Sequence, residues 1–480
     1  MGNIIKAAPE QVFGYFEQLS LIPRGSGNMV AISDYCMEFA KAHGLDAIRD
    51  EANNVIIFKG GTAGYEGAEP IILQGHLDMV CQKDEGHEID FERDGLDIYV
   101  DGDYVKAHGT TLGADNGIAV AMILAILDSK EIPHPPIEAV FTTDEEVGMI
   151  GATAMDMDNL NGKRMINIDS EDPGVVTVSC AGGSDFKMTV PLKRETICGD
   201  CVTLTIRGLR GGHSGVEINS GRVNANLLMG RMLNHIARRF DFHVISVDGG
   251  DKGNAIPVSC RAKIVTGDGA AVAKALCDYA DIIKEEIAAR EGGFEFACER
   301  ECARECDAIV SPETGKLVHL LLCAPNGVVE MSAEIENLVE TSLNLGILKT
   351  EADNITLLFA LRSNKTSALA FLEEKLYCFA GWVECSVETG GHYPPWEYNE
   401  GSTLQELYAE KYAERFGGKP AIEAIHAGLE CGVFASRIPG FDCISIGPEM
   451  HDIHTTKERL SISSTAAIYD IILRVLKELK

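Results

Sequence analysis

Three carboxylates in a row, Asp144, Glu145 and Glu146, close the apolar run in PIEAVFTTDEEVG. Like charges side by side repel, and each raises the proton affinity of the next. A solvated strand end tolerates that arrangement, whereas a buried one needs compensating positive charge. Four other stretches place metal-ligating residue types beside apolar runs. GHLDMV carries His76 and Asp78 two residues apart, which puts both on one face of a strand. Asp78 can there fix the imidazole of His76, as a carboxylate does behind a metal-bound histidine. TTLGADNGIAVAM opens a helix with Asp115, which alone reads as a cap on free N–H groups. INIDSED brings Asp169 to the end of another strand, and HDIHTTKERL offers His451 and His454 ahead of the last helix.

In an open α/β sheet, ligands gather beyond the carboxyl ends of the strands. His76, Glu145, Glu146 and Asp169 fall at such ends, with Asp115 and one C-terminal histidine on adjoining loops. Two imidazoles and several carboxylates converging there form the donor set of a binuclear metal site. Zn²⁺ suits those donors best, and Mn²⁺ or Co²⁺ is compatible with them.

The elements that must deliver these residues follow from periodicity. Amphipathic stretches near 9–19 and 28–44 precede the apolar runs NVIIF and PIILQGHLD, then come a helix from about Asn116 to Ser129 and the strands PIEAVFTTDEE, RMINIDSED and VVTVSCAG. That alternation predicts an α/β fold with a mostly parallel central sheet. The same texture returns near the C-terminus, with a helix at 402–416, the strand FDCISIGP and a long helix from about Ser463. Residues 1–182 and 394–480 therefore read as one catalytic domain, interrupted by an inserted domain over 183–393. Inside the insertion a helix, two strands, a helix and a strand recur in the same order, which predicts an α+β lid of two ferredoxin-like repeats in tandem. The segment GGHYPPWEYNEG, rich in Gly and Pro, reads as the hinge back.

Composition excludes several function classes. The 480 residues are 45% apolar and 24% charged, enough for a large core. With 42 basic and 73 acidic residues the net charge is −31, which disfavours nucleic acid and anionic membrane as partners. The longest apolar run, IAVAMILAIL, is too short to span a bilayer, the N-terminal stretch lacks an apolar signal core, and Lys6 stands where a myristoylation signal at Gly2 needs Ser or Thr. A cytoplasmic protein is expected. The 15 cysteines are scattered through apolar patterns and imply no disulfide framework; the lone Cys198/Cys201 pair and the Cys298, Cys302, Cys306 series match no strong metal or cluster spacing. GLRGGHSG lacks the glycine pattern of a dinucleotide-binding turn, which argues against an oxidoreductase.

The series GHLDMVCQK, GTTLGADNGIA, TTDEEVGMIGA, INIDSED, LRGGHSGVEI, HAGLECG and HTTKERL, in that order over almost the whole chain, resembles the co-catalytic zinc exopeptidases that include carboxypeptidase G2 and aminoacylase-1, and among them the Xaa-His dipeptidases. The resemblance implies two Zn²⁺ ions, both bound by Asp115 through a cis peptide to Asn116, one also by His76 and Asp169, the other also by Glu146 and the C-terminal histidine. That histidine is implied to be His454, because an acid, Glu458, follows it by four residues. HTTKE departs here from the family's common HSPDE. Asp78 is implied as the orienting carboxylate and Glu145 as the general base. His213 is implied to stabilise an oxyanion, Arg362 and Asn254 to hold the substrate carboxylate, and Gly428, on the catalytic domain, to contact substrate. The implied reaction is hydrolysis of dipeptides such as β-Ala-His by a hydroxide held between the metals, with N-acyl amino acid hydrolysis or general dipeptidase activity as alternatives. A homodimer is compatible with the family. A doubled lid raises the expectation that one chain supplies a complete active site.

Overall fold

The computed structural model describes residues 7–480, so Gly2 and Lys6 lie outside the described residues. The chain forms two compact units. The first comprises the residues up to Cys180 with Tyr398–Ala424 and Leu429–Lys480; the second comprises Ala181–Glu397 and Ile425–Gly428.

The first unit is built on an eight-stranded sheet in the order Asp46–Arg49, Val55–Lys59, Ile137–Thr142, Ile71–His76, Arg164–Asn167, Asp442–Ser445, Val175–Cys180, Ala421–Ile425. Its middle is parallel: Ile71–His76 pairs in parallel with Ile137–Thr142 and Arg164–Asn167, and Arg164–Asn167 with Asp442–Ser445. The margins turn antiparallel at Val55–Lys59 and at Val175–Cys180. Sequence explains the division. IILQGH and IEAVFT are buried at every residue, as central parallel strands covered on both faces must be. The helix Ala114–Asp128 is buried at every position from Asn116 to Leu127, which matches its apolar character all round. Register aligns the strand ends, with His76 opposite Thr142 and Gln74 opposite Asn167, so the residues just beyond them collect at one edge. A small sheet of Met450–His451, Arg459–Ser461, Tyr104–Ala107 and Ile98–Asp101 anchors the C-terminal loop.

The second unit carries a nine-stranded sheet with two ferredoxin-like halves, but they are nested rather than in tandem. Read along the sheet, the first half runs Glu295–Ile309, Arg194–Arg207, Cys260–Thr266, Phe242–Gly249. The second continues with Val339–Thr350, Asn354–Ser363, Gly182–Pro191 and Ser386–Tyr393, while Gly327–Met331 pairs with Val339–Thr350 off this path. The first strand of the second half, Gly182–Pro191, thus precedes the whole first half in sequence. The tandem reading starts the second copy at its helix, observed at Ser311–Cys323, and so leaves this strand out. The halves meet where Gly249 pairs with Leu348. The helices Ala225–Ala237, Gly269–Ile287, Ser311–Cys323 and Thr366–Val383 supply residues to one apolar core that includes Phe186, Met229, Ile283, Leu321 and Phe359. Among the described residues no helix is long and apolar enough to cross a membrane.

Candidate metal centre

Asp115 stands at the centre of the first unit's polar cluster. Its Oδ1 lies 3.1 Å from Nε2 of His76 and its Oδ2 lies 3.1 Å from Nε2 of His454. His76 Nε2 is also 3.5 Å from Oδ1 of Asp169, and His454 Nε2 is 3.0 Å from Oε1 of Glu146. Donor atoms of a tetrahedral zinc site, each about 2.0–2.1 Å from the ion, stand about 3.3 Å apart. The observed separations of 3.0–3.5 Å fit that spacing, in two groups that share Asp115. His76, Asp115 and Glu146 each present a ligand atom with all three inside 4.8 Å. The donor set therefore fits divalent cations. Of the two C-terminal histidines it is His454 that joins the cluster; His451 turns to Glu449, at 2.7 Å.

The backbone around Asp115 is held from several sides. The Asp115–Asn116 peptide is cis. Asn116 accepts the N–H of His76 at 3.2 Å and donates to the carbonyl of Ile168 at 2.7 Å and to Oδ1 of Asp169 at 2.8 Å. One side chain thereby links three ligand-bearing segments. Gly75 makes room for it, since a Cβ there would meet Oδ1 of Asn116 at 2.5 Å. Glu458 accepts the N–H groups of Leu112, Gly113, Ala114 and Asp115 at 2.7–3.4 Å. The buried guanidinium of Arg24 donates to the carbonyls of Leu77 and Asp78, at 3.1 and 3.2 Å, and to that of Gly113.

Asp78 is gripped just as fully. Its Oδ1 is 3.3 Å from Nδ1 of His76 and accepts the N–H of Glu145 at 3.0 Å, while Oδ2 accepts from Ser26 at 2.8 Å and from the N–H of Glu146 at 3.2 Å. One carboxylate thus orients an imidazole and fixes both adjacent glutamates. Asp144, in the left-handed region at φ 51°, accepts the N–H of Gly27 at 2.6 Å and so takes a structural part in the turn. The carboxylate of Glu145 makes no hydrogen bond among the described residues.

The electrostatics show a cluster short of positive charge. His454 is pushed up to about 10 by its hydrogen bonds to Asp115 and Glu146. Burial opposes charging of His76, yet Asp169 and the hydrogen bonds of Asp115, Asp169 and Asp78 raise it well above the usual range. Burial, with Asp115 and Glu146 nearby, brings Asp169 up to about 6 against the pull of His76. Glu145 is raised well above the carboxylate range by burial, with Asp169, Glu430 and Glu146 adding to it against His76. Burial would raise Asp115 too, but hydrogen bonds from His454 and His76 hold it below the ordinary value. A pair of dications would meet all of these demands at once.

In the second unit, His213, Arg362 and Asn254 come together with residues that sequence reasoning did not select. Nδ1 of His213 accepts the N–H groups of Gly215 and Val216, both at 3.2 Å, which leaves Nε2 as the donor. Burial and the charge of Arg362 lower the proton affinity of that ring. Arg362 is buried and donates to the hydroxyl of Tyr393 at 2.6 Å. The backbone carbonyl of exposed Asn254 accepts the N–H of Ser214 at 2.9 Å. Gly428 belongs to this unit rather than to the catalytic one, because the segment Ile425–Gly428 is bonded into it: Ala181 N–H is shared by the carbonyls of Ile425 and Ala427, and the His426 ring meets Ser342 at 2.7 Å and Asn364 at 3.1 Å.

Arg24, Ser26, Glu430 and Tyr393 escaped the sequence reading, and Asn116 entered it only as the partner of a cis peptide. Only Glu430 left a trace, as a charge within the apolar stretch GLECGVFA.

The chain is 36% identical over 483 residues to the cytosol non-specific dipeptidase of Escherichia coli K12, covering 100% of this chain and 99% of that protein. The crystal structure of aminoacylhistidine dipeptidase from Vibrio alginolyticus superposes with a TM-score of 0.92 at 36% identity, covering 100% of this chain and 98% of that one. The aminopeptidase PepT of Bacillus cereus shares the fold at a TM-score of 0.57 and 15% identity, covering 98% of this chain and 99% of that one. The sequence pattern of peptidase family M20/M25/M40 matches residues 72–478, and with full-length relatives at this identity the chain belongs to that family.

Proposed function

We propose that this protein is a metal-dependent dipeptidase of the cytoplasm, with two divalent cations, zinc by donor set, in its first unit. The observation that carries the reading is the division of the Asp115 carboxylate between two imidazoles. His76 and Asp169 would hold one ion, Glu146 and His454 the other, and Asp115 both. Such ions acidify water and polarise a scissile carbonyl. Glu145 takes the proton of the attacking water on its free carboxylate and returns it to the leaving amine nitrogen. Burial and its carboxylate neighbours raise its proton affinity, the direction a base working near neutral pH requires. Asp78 orients His76 and steadies Glu145. In the second unit, His213, with Nε2 as its donor, is the proposed oxyanion-stabilising residue, and Arg362, Asn254 and Gly428 are the proposed substrate-binding residues, Arg362 and Asn254 for its carboxylate. The scatter of the cysteines through apolar patterns and a relative named for the cytosol support the compartment.

Dipeptides, including Xaa-His types such as β-Ala-His, are the proposed substrates, supported by relatives named as a non-specific and an aminoacylhistidine dipeptidase. The deciding experiment is metal analysis of the purified protein, with hydrolysis of β-Ala-His, other Xaa-His and Xaa-Gly dipeptides, and N-acetyl amino acids, before and after chelation and on return of Zn²⁺, Mn²⁺ or Co²⁺. Dipeptide cleavage lost on chelation and restored by metal is expected. Indifference to chelation overturns the proposal, and a preference for acylated amino acids moves it to the acylase alternative. We place the complete active site within one chain, since the lid is doubled. Mixing inactive Glu145→Gln and His213→Ala proteins then restores no activity, and recovery on mixing refutes that arrangement.

A further inference from the structure

One rung deeper than the metal-ligating residues lies a second row of polar side chains that the mechanism does not use. Gln74, Thr142 and Asn167 come from three adjacent parallel strands and are all fully buried. Gln74 and Asn167 are paired in register, and each stands two residues before a ligand, His76 and Asp169, on the same side of the sheet. Asn167 Nδ2 donates to Gln74 Oε1 at 2.5 Å, and Gln74 Nε2 donates to Thr142 Oγ1 at 3.1 Å.

Glu430, the first residue of the helix Glu430–Arg437, closes this row. Its Oε2 accepts from Gln74 Nε2 at 2.5 Å and from Thr142 Oγ1 at 2.7 Å. The side chain has no exposed surface, and its Oε1 has no hydrogen-bond partner. A buried carboxyl with half its acceptors idle is costly, and for stability alone an apolar residue of similar volume serves as well or better. A polar network across three strands instead specifies where those strands stand relative to one another. The three strands here lead into His76, into Glu145 and Glu146, and into Asp169.

We propose that Glu430 is a positioning residue of the metal centre: its carboxylate clamps Gln74 and Thr142 and, through Asn167, sets the mutual placement of the strand ends that bear the ligands. The inference rests on the reading of the cluster above as a metal centre. It leaves the chemistry to the residues already named and assigns to Glu430 the spacing between them.

The test uses the full chain in four forms: wild type, Glu430→Leu, Glu430→Gln and Gln74→Met. Zn²⁺ affinity is measured on the metal-free proteins by competition with a chelating indicator, alongside thermal unfolding, kcat and KM. Glu430→Leu and Gln74→Met are expected to weaken zinc binding at least tenfold and to lower kcat more than they raise KM. Glu430→Gln can keep both bonds through its carboxamide oxygen, and is expected within threefold of wild type. Should Glu430→Leu fail to fold, Gln74→Met reads the same tie from its other end. Folded Glu430→Leu or Gln74→Met with wild-type zinc affinity and kcat overturns the proposal, whatever its melting temperature. A Glu430→Gln protein as impaired as Glu430→Leu overturns it too, since charge rather than the clamp would then be at stake. Wild-type protein that binds no zinc defeats the metal-centre reading itself, an outcome distinct from either.

Discussion

Glu458 grips the backbone of Asp115: its carboxylate accepts the N–H of Asp115 and of the three residues before it. Four residues earlier, His454 reaches the side chain of the same aspartate. A single short segment therefore holds Asp115 by both ends. Replacing Glu458 with Ala strands four N–H donors at a buried helix start, where each unsatisfied donor costs about 1–3 kcal/mol and entering water recovers part. The expected loss is about 2–4 kcal/mol in urea unfolding, with lower metal content. An unchanged unfolding midpoint would show that the cradle is dispensable.

Glu145 and Glu146 are neighbours with different surroundings, and their substitutions separate accordingly. Glu146 faces His454, whereas the Glu145 carboxylate is uncommitted. Glu146→Ala is expected to lose metal and activity together. Glu145→Ala is expected to keep its metal while kcat falls by about 10²–10⁴-fold, the worth of a general base. Metal analysis beside steady-state kinetics distinguishes the two, and equal loss of metal in both contradicts the division.

Asp78→Asn probes the shared clamp. The carboxamide nitrogen must face either Ser26 and the N–H of Glu146 or the N–H of Glu145, donors against donors. Metal affinity is expected to fall about 10–100-fold, as for other carboxylates behind a metal-bound imidazole. Because Glu145, the proposed base, is released as well, kcat should drop further than metal occupancy explains when assayed at saturating zinc. Full recovery of kcat by excess zinc would limit Asp78 to the histidine alone.

Acid should loosen the second unit through His426. Burial, with the charges of Arg362 and His213, holds this ring down to about 3 against an ordinary value of 6.5. The unfolded chain takes up a proton that the folded one declines, so this contribution is complete above pH 6.5 and drains away as pH falls from 6.5 toward 3. The slope approaches about 1.4 kcal/mol per pH unit in that window. Melting temperatures between neutral and acid pH check this: His426→Gln should flatten the decline, and a parallel curve would assign the acid sensitivity elsewhere.

Much of the first unit was legible because strand burial and helix periodicity are local signals. The runs ending in His76, Glu145 and Asp169 announce both the strand and the residue at its tip. The residues that fix their geometry were not legible, for a physical reason. Asn116 bonds across 52 residues to Ile168, and Glu430 across 356 to Gln74, so neither partnership leaves a periodic mark. Between His451 and His454 the residues alone left the choice open, and the resemblance, with Glu458 four residues on, selected the histidine that joins the cluster. The nesting in the second unit escaped because Gly182–Pro191 finds its neighbour, Asn354–Ser363, only after the other half has been completed.

That nesting also bears on how the chain is made. The inner half begins and ends side by side, since the N–H of Val310 bonds to the carbonyl of Lys193 at 3.0 Å. It can therefore close as a self-contained loop while synthesis continues. Gly182–Pro191, by contrast, leaves the ribosome early with both edges bare, and its partners Asn354–Ser363 and Ser386–Tyr393 arrive late. Pairings of such long sequence separation form slowly and leave an unpaired edge open to misassociation in the meantime. The orphaned strand, rather than the metal centre, is where a nascent copy of this enzyme is most exposed.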